Sequence, residues 1–266
     1  MSQNIDNSSQ SGNIQETIKD LYVSRYEAGA TEESPEESRT EMAANVITKI
    51  IAHFDQQDAE DMYIADLAAG PASVEREIFK VIQKGEIRYA SEADFNKLYA
   101  AIGRVHFYTY DIAGDPKDPQ FMDMAQILDI NHTVGDLTTC ELPAQQFDLV
   151  ISNLGVDLIP ERDLALRNAL QSAKPDAEFI FHFHHRQIAK NIIEQGGMTN
   201  DCMDAMNYIN ESNHYFSDIE SIRVYLQNLG FDVHFLFVGV ETVEDPRVHN
   251  GPLDRWWIIK AKKSLR

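Results

Sequence analysis

A three-layer α/β sandwich is predicted, with a mainly parallel sheet of about seven strands, the last antiparallel, and an N-terminal helical cap in front of it. Short apolar runs alternate with helical segments over residues 62–183. That alternation requires crossover connections, hence parallel strands covered on both faces. The last two apolar runs, 231–240 and 256–261, are separated by 15 residues that include Pro246, Gly251 and Pro252. Such a connection is too broken for a helical crossover, so these two strands pair antiparallel. A chain of 266 residues, 43% of them hydrophobic, also suffices for one large core.

The elements follow in order. Residues 1–13 are rich in Ser, Asn and Gln and are expected to form a disordered tail, and residues 14–61 form the cap. Within the cap, residues 27–41 hold six Glu against one Arg, with Gly29 and Pro35, and read as a solvated acidic loop. Ala43, Val46, Ile47, Ile50, Ile51 and Phe54 then recur at three- and four-residue spacing, one apolar stripe of a helix. The α/β domain, 62–266, runs through a strand at 63–67 and a helix from Ser73, then a strand at 105–110 and a helix around 121–128. A strand at 147–152, a helix from Glu161 and a strand at 178–183 continue it. Residues 186–216 form a candidate lid. Ser217-Asp218-Ile219-Glu220 has the form of a capping box. It opens a helix whose stripe of Ile219, Ile222, Tyr225, Leu226 and Leu229 stops at Gly230, a C-terminal cap.

Charge narrows the partners. Asp and Glu number 43 against 23 Lys and Arg, a net −20. Such a surface repels phosphate backbones and anionic lipids, so neither nucleic acid nor membrane is expected as a partner. The five basic residues within 255–266 read as solvated flanks of the last strand. Cys140 and Cys202 make neither a disulfide framework nor a zinc pattern. No metal site is expected. No apolar run approaches the roughly 18 residues of a membrane helix. The first residues hold no apolar signal core, and a cytoplasmic location is the expectation. The oligomeric state is left open.

Candidate chemistry begins at Ile64-Ala65-Asp66-Leu67-Ala68-Ala69-Gly70-Pro71-Ala72, where an apolar strand ends in small residues and a helix follows. Small residues at such a turn let a ligand approach the backbone, and the helix start offers unpaired N–H donors. Further on, a strand ends in Asp111-Ile112, a loop carries Gly135-Asp136-Leu137, and an apolar run ends in Asn153-Leu154. Lys174-Pro175-Asp176-Ala177 then closes a helix.

In this order of motifs the sequence resembles the class I S-adenosylmethionine-dependent methyltransferases, a Rossmann-like family. Its first turn is written as an Asp followed by Gly-x-Gly-x-Gly, and Asp66, Ala68, Gly70 and Ala72 occupy those positions. The resemblance implies that S-adenosyl-L-methionine is the cofactor and that a small molecule accepts the methyl group. It places Asp111 and Ile112 at the ribose and adenine, Asp136 and Leu137 beside adenine, Asn153 and Leu154 at the end of the fourth strand, and Lys174 to Ala177 in a turn. Asp136 also reads as an ordinary loop residue. A non-catalytic cofactor-binding or interaction module is the alternative function.

Two departures from the family pattern bear on the site. Alanine at 68 and 72 is unstrained only where φ is negative. The interval from Gly70 to Asp111 is 41 residues where about 20 is usual, which residues 84–104 fill as an inserted helical segment around 95–102. The other register makes 87–91 the second strand and Glu92 the ribose acid.

On the acceptor side, Phe181-His182-Phe183-His184-His185-Arg186 ends the fifth strand, and period-two alternation puts His182 and His184 on one face. His184 and His185 are the candidates for a general base or acceptor-positioning group, and His182 and Arg186 for substrate contacts. Histidines that merely cap a sheet edge are the plain alternative. Tyr22 and Tyr26, four residues apart on one helix face, are placed to close over the site. The patch of Cys202, Met203 and Met206 reads as core or cap, and Trp256-Trp257 as packing for the final strand.

Overall fold

The computed structural model describes residues 36–70, 72–85, 92–112, 119–159, 161–184, 216, 218–240 and 255–264. Seven strands form one sheet: β1 (Met62–Leu67), β2 (Val105–Asp111), β3 (Ile130–Val134), β4 (Phe147–Asn153), β5 (Ala173–His184), β6 (Phe231–Val240) and β7 (Arg255–Lys263). Their order across the sheet is β3-β2-β1-β4-β5-β7-β6. β1 pairs in parallel with β2 and β4, β2 with β3, and β4 with β5. β7 lies between β5 and β6 and runs antiparallel to both, as the short broken connection before it requires. Strand order reverses between β1 and β4, and such switch points are where open α/β sheets take ligands, beyond the carboxyl ends of the strands.

Among the described residues six α-helices cover the sheet: α1 (Glu36–Phe54), α2 (Ser73–Lys84), α3 (Glu92–Ala101), α4 (Pro119–Ile127), α5 (Arg162–Ser172) and α6 (Ile219–Leu229). Side-chain alternation along each strand divides the core in two. Met62, Ile64, Leu149, Ile151 and Ile180 face Met42, Val46 and Ile50 of α1, Ile78 of α2, Leu98 of α3 and Met124 of α4. Ala65, Leu67, Val150, Phe179 and Phe181 face Leu166 and Ala169 of α5 and Ile222 and Leu226 of α6. On that side Arg162, buried at the start of α5, sets its guanidinium 4.8 and 4.6 Å from the ring centroids of Phe216 and Tyr225, which are themselves 5.0 Å apart.

The structure departs from the sequence expectations at four places. The acidic stretch is helical from Glu36 onward, because Glu36 and Glu37 fall in the first turn of α1 and complement its dipole. Ser38 and Arg39 are buried there, and Arg39 lies 3.6 Å from Glu77 of α2. β3 has no counterpart among the predicted strands, since Asn131, His132 and Thr133 give it no apolar face; it is an edge strand, joined to β2 by a Thr109 Oγ1 to His132 Nδ1 contact of 2.8 Å. Lys174 to Ala177 is not a turn after a helix but part of β5. Between the pairs Phe147↔Ala173 and Leu149↔Glu178, two steps of β4 oppose five of β5, so these residues bulge. Asp218 rather than Ser217 caps α6, accepting from the Ser221 N–H at 2.8 Å, while Gly230 ends that helix at φ 106° as expected. Among the described residues no helix is long and apolar enough to cross a membrane.

Candidate active site

The turn after β1 is built on three alternate residues in the left-handed region: Ala68 at φ 55°, Gly70 at 56° and Ala72 at 54°. These are the three positions matched to glycines. The alanines therefore keep a glycine backbone rather than relaxing to negative φ, at a cost of roughly 1–2 kcal/mol each. The surroundings hold the turn in place. The Ala69 N–H donates to the Tyr110 carbonyl at 3.1 Å, and the Gly70 N–H donates to Asp111 Oδ2 at 2.7 Å. The buried Ser152 hydroxyl donates to the Leu67 carbonyl at 2.7 Å, tying the end of β4 to the end of β1.

Gly155, just beyond β4, has no room for a side chain. A Cβ there would stand 2.6 Å from the Ala68 carbonyl oxygen and 2.7 Å from the Ala68 Cβ. The methyl group that replaces a glycine hydrogen at 68 is thus accommodated by a glycine 87 positions later, which no local spacing announces.

Asp111 ends β2, the strand paired with β1 from Met62↔Val105 to Leu67↔Tyr110. That pairing makes Val105–Asp111 the second strand, with Asp111 at its end. Glu92 instead opens α3, and this helix with a 3₁₀ turn at Ile102–Arg104 fills the long interval; residues 87–91 lie outside the described ones. Ile112 is half-buried next to the strand end. Asp136 shapes its own loop, with Oδ1 accepting from the Thr138 N–H at 2.8 Å and hydroxyl at 2.7 Å. The Gly135 N–H donates to the Asp111 carbonyl at 2.8 Å, so this loop is fastened to the end of β2. Leu137 is buried among Leu67, Tyr110 and Phe147.

Asp66 and Glu75 form a second polar group below the turn. Both are buried, no donor of another residue reaches their four carboxyl oxygens, and the two carboxyls meet each other. Burial pushes both pKa values up, that of Glu75 to about 7, and at Asp66 the neighbouring Glu75 and Asp111 carboxyls add to the rise. Two carboxylates cannot both ionise in such a place, so the pair holds a proton at neutral pH. The sequence reading named Asp66 and missed Glu75, because an acid in the first turn of a helix is an ordinary feature.

The third group joins α1 to the ends of β4 and β5. Ser38 Oγ is 2.7 Å from Asn153 Oδ1 and 2.9 Å from His182 Nδ1, and His182 Nδ1 is 3.0 Å from Asn153 Oδ1. Asn153 and His182 are register partners, so both project from the same face of the sheet, opposite the Phe181 and Phe183 side. The imidazole stacks at 29° on Trp256 with centroids 6.3 Å apart, and burial, with the nearby Lys260 charge, lowers its pKa to about 3. β5 is an interior strand, so His182 does not cap a sheet edge. Leu154, at φ 57°, donates its N–H to the His182 carbonyl at 2.9 Å and packs with Trp256 and Ile258.

His184 closes β5, and its side chain, like His185, Arg186, Tyr22, Tyr26 and the candidate lid up to residue 215, lies outside the described residues. No cluster of three metal-ligating side chains occurs among the described residues.

No family model matches the chain. An arsenite methyltransferase of Aquipseudomonas alcaligenes is 29% identical over 83 residues, which is 30% of this chain and only 24% of that relative's length. Among solved structures, the 1,6-didemethyltoxoflavin-N1-methyltransferase of Burkholderia thailandensis, with 1,6-didemethyltoxoflavin and S-adenosylhomocysteine bound, aligns with a TM-score of 0.58 at 12% identity. That alignment covers 99% of this chain and 93% of the other. An arsenic(III) S-adenosylmethionine methyltransferase of Chlamydomonas reinhardtii aligns at 16% identity and a TM-score of 0.43, over 87% and 74% of the two chains.

Proposed function

We propose that this chain, which has the fold of the class I S-adenosylmethionine-dependent methyltransferases, transfers a methyl group from S-adenosylmethionine to a small organic molecule. The observation that carries the proposal is the turn after β1, where residues 68, 70 and 72 hold the left-handed backbone of a glycine-rich turn although two of them are alanine. A conformation kept against its own strain needs a reason, and close approach of a ligand to the backbone is one. Asp111, at the adjacent strand end with its Oδ2 on the Gly70 N–H, supports the same reading, as does the buried carboxyl of Asp66, which no donor of another residue reaches.

In this reading residues 68–72 lie along the cofactor's amino-acid end, Asp111 takes the ribose hydroxyls, and Ile112, Asp136 and Leu137 border the adenine. Asn153 and Leu154 close the end of β4. The cofactor, when bound, supplies a methyl carbon made electrophilic by its cationic sulfur. The chain's own part is to hold an acceptor in line and to exclude water. Leu154, Trp256 and Ile258 form an apolar cluster beside the polar Ser38, Asn153 and His182 group and suit that task.

The acceptor is proposed to be organic. Arsenic(III) is soft and favours converging thiolates. This chain has two cysteines, and Cys140 is half-buried with its thiol pKa raised by burial and by the Asp136 charge. A net charge of −20 disfavours nucleic acid and anionic membranes, whereas a cationic metabolite or basic protein is compatible with it. Low cysteine usage suits a reducing compartment, and we place the protein in the cytoplasm.

Calorimetric titration with S-adenosylhomocysteine tests the cofactor, and transfer of label from methyl-labelled S-adenosylmethionine into small molecules of a cell extract tests catalysis. Saturable binding and label in the low-mass fraction are expected. Binding of NAD with no binding of either sulfur compound would refute the assignment, and cofactor binding without any transfer would leave a binding module.

A further inference from the structure

His182 is wholly buried, yet its Nε2 has no hydrogen-bond partner. Buried polar atoms find partners in the great majority of cases, so this nitrogen requires an explanation. Its other nitrogen supplies a constraint. Nδ1 lies 3.0 Å from Asn153 Oδ1 and 2.9 Å from Ser38 Oγ, and the Ser38 hydroxyl donates to Asn153 Oδ1 at 2.7 Å. An unprotonated Nδ1 would set its lone pair against an amide oxygen, with the single serine proton already committed to that oxygen. A protonated Nδ1 satisfies all three atoms, because it donates to Asn153 Oδ1 and Ser38 Oγ together. Neutral imidazole carries one proton, so Nε2 is then a bare acceptor.

The charged groups near the ring do not change this. Lys260 of β7 faces it and favours the neutral form. Glu41 of α1, beside Trp256 and Lys260, has its own carboxyl pKa raised by burial. The ring stands at the carboxyl ends of β4 and β5, on the α1 face.

We propose that Ser38, reaching from α1, and Asn153 lock His182 in the tautomer protonated on Nδ1, so that Nε2 takes the N–H or O–H of the methyl acceptor. The proposal rests on the methyltransferase reading and narrows it to acceptors that carry a proton on a nitrogen or oxygen. His182 makes the contact; Ser38 and Asn153 are positioning residues that act through it. The role is given to His182, the histidine of this strand end whose side chain is described, and α1 is thereby part of the site.

The imidazole itself provides the readout. Full-length protein containing ¹⁵N-labelled histidine is followed by long-range ¹H–¹⁵N correlation, with His182 assigned from the signals lost in His182→Gln. A protonated Nδ1 and an unprotonated Nε2 are expected from pH 5 to pH 9. Ser38→Ala alone leaves the Asn153 acceptor, so it is the double variant Ser38→Ala/Asn153→Leu, with both acceptors removed, that should lose this single pattern and average the two tautomers, while Ser38→Thr, which keeps the hydroxyl, should retain it. Phenol serves as the O–H probe and should shift the Nε2 resonance, while anisole, similar in shape but without the proton, should leave it unmoved. Protonated Nε2 in the wild type, an unchanged pattern in a folded Ser38→Ala/Asn153→Leu protein, or equal responses to phenol and anisole would each overturn the proposal. S-adenosylhomocysteine binding measured on the same samples keeps the readings apart: its absence refutes the cofactor assignment, and its presence alongside a protonated Nε2 refutes only the role given to His182.

Discussion

Gly155→Ala probes the most sharply defined contact of the site. The new Cβ would lie 2.6 Å from the Ala68 carbonyl oxygen and 2.7 Å from the Ala68 Cβ, where ordinary contact begins at 3.4 Å, so something must move by 0.8 and 0.7 Å respectively. Neither atom can rotate aside, because one belongs to the backbone and the other is fixed to it. The turn is also tethered through the Ala69 and Gly70 N–H groups to Tyr110 and Asp111. Overpacking of this kind costs roughly 1–3 kcal/mol. In a chain of this size that lowers the Tm by about 2–4 °C per kcal/mol. The displacement falls on the proposed cofactor turn, so S-adenosylhomocysteine affinity should fall as well. Ala68→Gly removes the Cβ contact and relieves left-handed strain of roughly 1–2 kcal/mol, offset by about 0.4–1 kcal/mol of added freedom in the unfolded chain. Alone it should change stability little. Combined with Gly155→Ala it should recover part of the loss, a coupling of at least about 0.5 kcal/mol in a denaturation cycle. A Gly155→Ala protein within about 0.5 kcal/mol of wild type, with additive effects in the double variant, would refute the packing argument.

Two further outcomes are expected. Asp111→Asn keeps an acceptor for the Gly70 N–H but removes the charge offered to ribose, so S-adenosylhomocysteine affinity should fall by about 1.5–3 kcal/mol, one to two decades, while Glu92→Gln at the start of α3 should be silent; calorimetry of both variants decides this, and the reverse result would reject the assigned ribose acid. Glu75→Gln concerns the buried carboxyl pair. The folded pKa of Glu75 is raised from 4.5, so its contribution to wild-type stability is full below that value and declines as pH rises toward neutral. The glutamine variant should therefore gain on wild type between pH 5 and pH 8 in thermal denaturation, and a constant difference across that range would show that the pair does not titrate there.

Much of the architecture was legible because neighbours in sequence report it. The spacing from Ala43 to Phe54 marks the buried stripe of α1, and Phe181 and Phe183 alternate with His182 across β5. Gly230 ends α6 where its stripe stops. β3 was not legible, since Asn131, His132 and Thr133 carry no apolar alternation and its place comes from pairing with β2. Lys174 to Ala177 matched a family turn, yet pairing of β4 with β5 across a bulge made them strand.

The sequence by itself determined the order of strands and helices apart from β3, the antiparallel final strand and the succession of acids at strand ends. These are set by local periodicity, turn residues and connection length. Only the tertiary structure decided that the segment ending in Asp111, and not the one before Glu92, is the second strand, because this depends on which segment pairs with β1. It alone set the left-handed alanines against Gly155, brought Glu75 to Asp66, and joined Ser38 to partners 115 and 144 positions away. Helical and strand periods extend over a few residues, whereas this site is assembled where strand ends from distant parts of the chain meet the start of α1, and the hydrogen bonds that define it leave no periodic trace along the sequence.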